Sequence, residues 1–210
     1  MPVPTLLITG TVGAGKTAVA AEVNDALAEL KVPNAAVDLD ALIWQWPSTS
    51  KWNDDLMFEN LAALWPNYAA HGATHLVLAR VLETPAELTR YTAAVPGAEI
   101  TVCRLVAPEA VRVQRLLARM PPGPSRDWHL SRTAELDASL DRLSCVDFII
   151  ENGDRTVRDV ALDVLVRAAW VTVEDADTVR ARLDPEYSRP TAHAAAAAAA
   201  TDTMGLPGGC

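Results

Sequence analysis

Thr5-Leu-Leu-Ile-Thr-Gly10-Thr-Val-Gly-Ala-Gly-Lys16-Thr17-Ala-Val-Ala-Ala-Glu-Val23 is the stretch that decides the fold. Thr5 to Thr9 is a short β-rich run, and beyond Thr17 the apolar residues Val19, Val23, Ala26, Leu27 and Leu30 recur at helical spacing. Between strand and helix, Gly10, Thr11, Val12, Gly13, Ala14, Gly15, Lys16 and Thr17 match G-x-x-x-x-G-K-[ST]. Glycines let the backbone turn so that successive N–H groups face an anion, and the helix N-terminus adds its positive end. Lys16 is then placed to reach β/γ-phosphate oxygens and Thr17 to offer a hydroxyl to Mg²⁺. The loop therefore predicts binding of a nucleoside triphosphate with Mg²⁺.

Four more β-rich runs follow: Ala35 to Leu39, His75 to Ala79, Glu99 to Val106 and Asp147 to Glu151. They alternate with helical patterns, the signature of a parallel sheet covered on both faces. Val113, Leu116, Leu117 and Met120 predict one buried helical stripe, and Val157, Val160, Ala161, Val164, Leu165 and Ala168 another. Two segments interrupt the alternation. Residues 44–68 hold four of the six tryptophans, Trp44, Trp46, Trp52 and Trp65, and are read as a substrate-side insertion. Residues 120–133, with Pro121-Pro-Gly-Pro-Ser-Arg126, are read as a lid, whose prolines and glycine end one helix before another begins at Trp128 and runs to Leu143. A short helix is expected at about 174–183. The expected organisation is one domain over residues 1–185 and a low-complexity, alanine-rich, disordered tail over 186–210.

With 210 residues, half of them hydrophobic, the chain can bury a core of its own. Its net charge of −9 argues against a nucleic-acid partner, which needs clustered positive charge. The partner expected is a small molecule. Three scattered cysteines form no disulfide framework or zinc spacing, and no apolar run is long enough to cross a bilayer. A cytoplasmic monomer or homodimer is expected, with no membrane partner. Basic residues are concentrated at Arg104, Arg112, Arg115, Arg119, Arg126 and Arg132, a local excess suited to a phosphate ester. At least half of these are expected to be solvated.

Val37-Asp38-Leu39-Asp40 ends the second β-run with two acids two residues apart. If the chain stays extended there, both carboxylates project on one side at the C-terminal edge of the sheet, beside the phosphate loop. One would serve Mg²⁺ and the other orient an acceptor hydroxyl and take its proton. The competing interpretation is a helix N-cap with first-turn acids before Ala41-Leu-Ile43.

The phosphate loop, Asp38-x-Asp40, Arg115-x-x-x-Arg119 and an arginine-bearing lid together resemble the small ATP-dependent P-loop kinases that act on shikimate, gluconate, adenylylsulfate and chloramphenicol. Trp128-His-Leu130 with Asp147-Phe-Ile-Ile-Glu-Asn152 also resembles a group of actinobacterial ATP-binding kinase-like proteins. The resemblance spans about residues 6–170. It implies an α/β P-loop NTPase three-layer sandwich with sheet order 2-3-1-4-5, and transfer of the ATP γ-phosphate to a small hydroxyl-bearing or phosphorylated metabolite. It also implies Asp38 near Mg²⁺ with Thr17, Asp40 as acceptor-side base, and Arg115 or Arg119 against the nucleotide. Arg126 or Arg132 would close over the transferred phosphoryl group, and Asn152 to Thr156 would flank adenine.

Departures from the family pattern narrow this picture. No Gly-Gly-Gly follows the third strand, as in shikimate kinases, and Leu78-Ala79-Arg80 lacks the serine of adenylylsulfate kinases. No Walker B Asp ends that strand, which leaves metal binding to Thr17 and Asp38. Arg80 and Trp44 are the remaining acceptor-side candidates, Trp44 for its large ring. A nucleoside or nucleotide kinase and a non-catalytic ATP-binding regulatory module are the alternatives. A GTPase is disfavoured, because no Asn-Lys-x-Asp occurs.

Overall fold

The computed structural model describes residues 2–48, Ser50 and 52–182, so the alanine-rich tail and the end of the 174–183 helix lie outside the described residues. Five strands, β1 (Val3–Thr9), β2 (Asn34–Asp38), β3 (His75–Ala79), β4 (Ala98–Val106) and β5 (Phe148–Glu151), form one parallel sheet in the order β2-β3-β1-β4-β5. Leu6 sits opposite Val77 on one side and Thr101 on the other, which makes β1 the centre of the sheet. The helices are α1 (Lys16–Glu29), α2 (Asp54–Ala70), α3 (Glu87–Ala94), α4 (Glu109–Arg119), α5 (Pro124–Leu140), α6 (Val157–Arg167) and α7 (Val173–Ala181). A 3₁₀ helix, Leu39–Ile43, follows β2. This is the α/β three-layer architecture expected from the loop and the alternating runs.

Side chains of successive strand residues point to opposite faces, and the two cores follow from that. On one face Leu6, Ile8, Val77, Ala79, Cys103, Leu105 and Ile150 meet Val19, Val23 and Leu27 of α1 and Val160, Val164 and Leu165 of α6. On the other, Leu7, Leu76, Leu78 and Val102 meet Met57, Phe58, Leu61 and Trp65 of α2 and Tyr91 of α3. Burial pushes the Cys103 thiol up to about 12. No helix among the described residues is long and apolar enough to cross a membrane.

Several expectations need correction. Much of residues 44–68 is helical, because α2 begins at Asp54 and runs through Pro66. Asp54 and Asp55 in its first turn favour a helix start, and Trp65 goes into the core. Most of residues 120–133 is helical. Pro124 stands at the start of α5, where the missing N–H costs nothing, so the prolines begin a helix there. The stripe Val113, Leu116, Leu117, Met120 is misaligned: Leu116 is buried but Leu117 is exposed. Arg112, Arg115, Leu116 and Arg119 share the inner face of α4, at spacings of three and four.

The consequence is measurable by urea unfolding. Leu27→Ala, in the core between α1 and the sheet, is expected to cost about 2–5 kcal/mol. Leu117→Ala is expected to cost less than about 0.5 kcal/mol.

Candidate nucleotide and acceptor site

The loop between β1 and α1 needs backbone conformations open mainly to glycine. Gly13 and Gly15 have φ of 81° and 95°, and a Cβ at Gly13 would come 2.9 Å from the Arg112 carbonyl oxygen. At Gly15 a Cβ would run into the Asn152 side-chain amide. Side chains from distant elements hold the loop's oxygens. Asn152 donates from Nδ2 to the Ala14 carbonyl at 2.7 Å. Arg115 donates to the carbonyls of Gly13, at 3.3 Å, and Gly153, at 3.2 Å. Arg112 donates to the Thr11 hydroxyl at 2.8 Å and is itself held by both oxygens of Asp137. Peptide planarity turns the amide after a tethered carbonyl the opposite way, so the Ala14 tether orients the Gly15 N–H away from Asn152.

Lys16 folds back along the loop, donating from Nζ to the carbonyls of Gly10 at 3.0 Å and Thr11 at 3.1 Å. Desolvation lowers its pKa to about 8; Asp40 and Asp38 oppose that shift, and Arg119 and Arg80 add to it. These charges therefore lie within electrostatic reach of one ammonium. Thr17 donates from Oγ1 to Asp38 Oδ2 at 2.6 Å, which ties the first turn of α1 to the end of β2.

The Asp38/Asp40 pair does not continue as extended strand. β2 ends at Asp38, which caps the 3₁₀ helix by accepting from the Asp40 N–H at 3.0 Å. The capping interpretation is thus realised by Asp38, whose two oxygens are taken by Thr17 and the Asp40 backbone. Asp40, inside the 3₁₀ helix, is turned instead to Arg80 at the end of β3, with Nη1 to Oδ1 at 2.7 Å. Arg80 is only 11% exposed and also binds Asp54 of α2 at 2.7 Å. Tyr91 of α3 is 1% exposed and packs edge-on against Phe58, and its hydroxyl finds no hydrogen-bond partner among the described residues.

The remaining candidates are distributed as follows. Trp44 is 88% exposed; the strand turns into the 3₁₀ helix and carries its ring outward. Arg132 pairs with Glu83 and Glu135, so its charge is already met within the fold. Arg126 has no carboxylate partner among the described residues, and its Nε is buried without a partner. Asn152 is buried against the loop as a brace and does not form an open base-facing wall. Arg104 and Arg112 are buried, and of the six clustered arginines Arg119 alone is exposed, which corrects the expectation that half would be solvated.

Sequence reasoning missed Asp54, Tyr91 and the bracing role of Arg112. Asp54 had a legible signal as a first-turn acid after Asn53, whereas Tyr91 and Arg112 had none in local spacing. The ring of His129 packs on Trp128, its Nδ1 has no hydrogen-bond partner among the described residues, and desolvation together with Arg119 lowers its pKa against the pull of Asp40. Trp128 in turn meets Trp52, and Arg132 lies over the Trp52 ring, so α5 is joined to the segment before α2.

No family model matches the chain. No curated protein matches it either. Solved structures do. A sugar kinase from Janibacter sp. HTCC2649 superposes with a TM-score of 0.57 at 16% identity, over 80% of this chain and 95% of that one. An APS kinase from Mycobacterium tuberculosis, in complex with AMPPNP and APS, gives 0.54 at 22% identity, over 80% and 99%. Shikimate kinase from Acinetobacter baumannii, in complex with shikimate, gives 0.51 at 16% identity, over 81% and 96%. The fold is that of P-loop small-molecule kinases.

Because Lys16 loses its proton near pH 8 in the folded chain and near its ordinary 10.5 when unfolded, the unfolded chain binds more protons between those values. Stability arising from Lys16 is therefore lowest below pH 8 and recovers as pH rises toward 10.5. Lys16→Met is expected to flatten that rise in urea unfolding midpoints, and heteronuclear NMR of the Lys16 side chain should titrate near pH 8.

Proposed function

We propose that the protein is an ATP·Mg²⁺-dependent phosphotransferase that moves the γ-phosphate of ATP to a hydroxyl of a small molecule, with Asp40 as the acceptor-side base. The observation that carries this reading is the convergence of Lys16, Thr17, Asp38 and Asp40 where β1 and β2 end. Thr17 is bound to Asp38, and both aspartates act on the Lys16 ammonium. A phosphate loop alone would need no second carboxylate facing away from Thr17. Here Asp40 is held by Arg80, and its Oδ2 accepts no hydrogen bond among the described residues.

Magnesium suits the donor set. The Thr17 hydroxyl and the Asp38 carboxylate are hard oxygens in contact, and no group of three or more His, Cys, Asp or Glu residues able to cage an ion occurs among the described residues. Few protein oxygens with retained waters and phosphate oxygens is the usual environment of this ion. Bound there, it would neutralise charge on the β- and γ-phosphates.

The chain's own residues supply positioning and charge. The loop amides and Lys16 bind the β/γ oxygens, and an anion at Lys16 favours the charged ammonium over the partly deprotonated one. Arg119, exposed and within electrostatic reach of Lys16, is free to meet phosphate oxygens, as is Arg126. Their planar donor forks suit that geometry. In the transfer, the acceptor oxygen bonds to the γ-phosphorus while the bond from that phosphorus to the β,γ-bridging oxygen breaks. ADP departs, and the acceptor's proton passes to Asp40. Arg80 acts as a positioning residue by fixing the Asp40 carboxylate. A base-stacking acceptor pocket at Trp44 and Trp46 gains no support, since both rings are almost fully exposed.

A metabolite library incubated with ATP·Mg²⁺ and read by mass spectrometry for a phosphorylated product tests the reading. Once the acceptor is found, Asp40→Asn is expected to lower kcat by about 10²–10⁴. Its affinity for a non-hydrolysable ATP analogue should stay within about twofold of wild type. Full activity in Asp40→Asn would sink the assignment of the base.

A further inference from the structure

Thr11 ties the phosphate loop both to itself and to α4. Its carbonyl accepts from Lys16 Nζ at 3.1 Å and from the Ala14 N–H at 3.2 Å, and its hydroxyl accepts from Arg112 Nη1 at 2.8 Å. A β-branched side chain is stiff about its first torsion, so a hydroxyl held from behind also fixes the backbone that carries the carbonyl. That carbonyl helps to set where the Lys16 ammonium lies.

Arg112 can hold the hydroxyl only from a fixed position of its own. It is buried, and Asp137 of α5 grips its guanidinium with both oxygens, Oδ1 on Nη1 at 2.7 Å and Oδ2 on Nη2 at 2.6 Å. Two parallel bonds fix the plane of the donor fork, which a single bond leaves free to turn. Asp137 in its turn stands on a fastened stretch of helix. Leu136 and Leu140 beside it are buried, and Arg104 of β4 binds the Leu140 carbonyl at 2.8 Å and Asp141 at 2.6 Å. A continuous set of contacts therefore runs from the sheet through α5 and α4 to the residue that positions Lys16.

We propose that Asp137 and Arg112 are positioning residues for the polyphosphate: the carboxylate on α5, acting through Arg112 and the Thr11 hydroxyl, keeps the loop in the form that receives a β-phosphate and so strengthens binding of a nucleoside di- or triphosphate. The two roles open to an acid here predict opposite signs. Acting as a charge, it repels the anion, and its replacement by an amide tightens nucleotide binding, the more so because Arg112 loses its counter-charge. Acting as a strut, it favours the anion, and its replacement weakens binding. This inference rests on the nucleotide half of the phosphotransferase reading and is independent of the acceptor.

The test is calorimetric titration of the full chain with ADP·Mg²⁺ and AMPPNP·Mg²⁺, whose β-phosphate lies in the loop, and with AMP, which has none. Asp137→Asn is expected to raise Kd for ADP and AMPPNP about tenfold and to leave that for AMP within about twofold of wild type. Asp137→Glu, which keeps the charge and both oxygens, should recover most of the loss. Thr11→Val, similar in shape but without the hydroxyl, should weaken ADP binding comparably. The double variant Asp137→Asn/Thr11→Val should bind no more weakly than the weaker single variant, because both changes cut one path. Unchanged or tighter ADP binding in Asp137→Asn, an equal loss for AMP, or additive losses in the double variant would each overturn the inference and leave the phosphotransferase standing. Should Asp137→Asn fail to fold, Thr11→Val decides in its place, and unchanged ADP binding there overturns the inference. A wild-type chain that binds ADP no better than AMP would overturn both readings.

Discussion

The hydrogen bond from the Asn152 side chain to the Ala14 carbonyl is the interaction on which the site most depends. A loop that wraps an anion must turn its carbonyls outward, and each one so turned needs a donor behind it, because an unpaired buried carbonyl is expensive. Asn152, just past the end of β5, supplies one donor; Arg115, on α4, supplies another. Arg112 secures the Thr11 hydroxyl while Asp137 of α5 secures Arg112. All of this rests on the order of the sheet, since β1 reaches α4 and Asn152 only because β4 and β5 are laid down on one side of it.

On its other side β1 neighbours β3 and then β2. Around the loop, Arg115 serves backbone carbonyls without a carboxylate partner among the described residues, while Arg112 is held by Asp137. Near Asp40, Arg80 is enclosed by Asp40 and Asp54. Breaking a desolvated ion pair by removing one partner is far costlier than its net contribution to stability, so such pairs hold geometry better than they hold the fold together. Arg80 is best understood in that way, as a rigid strut that aims Asp40.

Much of this architecture was legible in the sequence. Strands of a parallel sheet are buried on both faces and read as apolar runs, so all five runs lie within a residue or two of the observed strands. The phosphate loop was legible because its function restricts residue type at each position. Failures occurred where tertiary charge decided the outcome. The apolar stripe proposed for α4 lost to Arg112, whose pairing with Asp137 and Thr11 turns the polar face inward. Asp40 was placed on an extended strand, whereas Asp38 capped a 3₁₀ helix and rotated it toward Arg80. Trp44 was read as a pocket residue on composition alone, and no spacing rule could have said that it faces solvent. Tyr91 lies on α3, and only the fold buries it against Phe58 of α2.

The distance in sequence between Ala14 and Asn152 also bears on biosynthesis. Their bond spans 138 positions, and Arg115 lies 102 beyond Gly13. A chain emerging N-terminus first, at about 5–20 residues per second, carries its phosphate loop exposed for many seconds before either brace exists. The central strand waits likewise, since β3 and β4 follow long after β1. Topologies that pair such distant segments fold slowly, because loop closure must precede the contacts that reward it. The segment easiest to recognise in the sequence is therefore among the last parts of the molecule to acquire its shape.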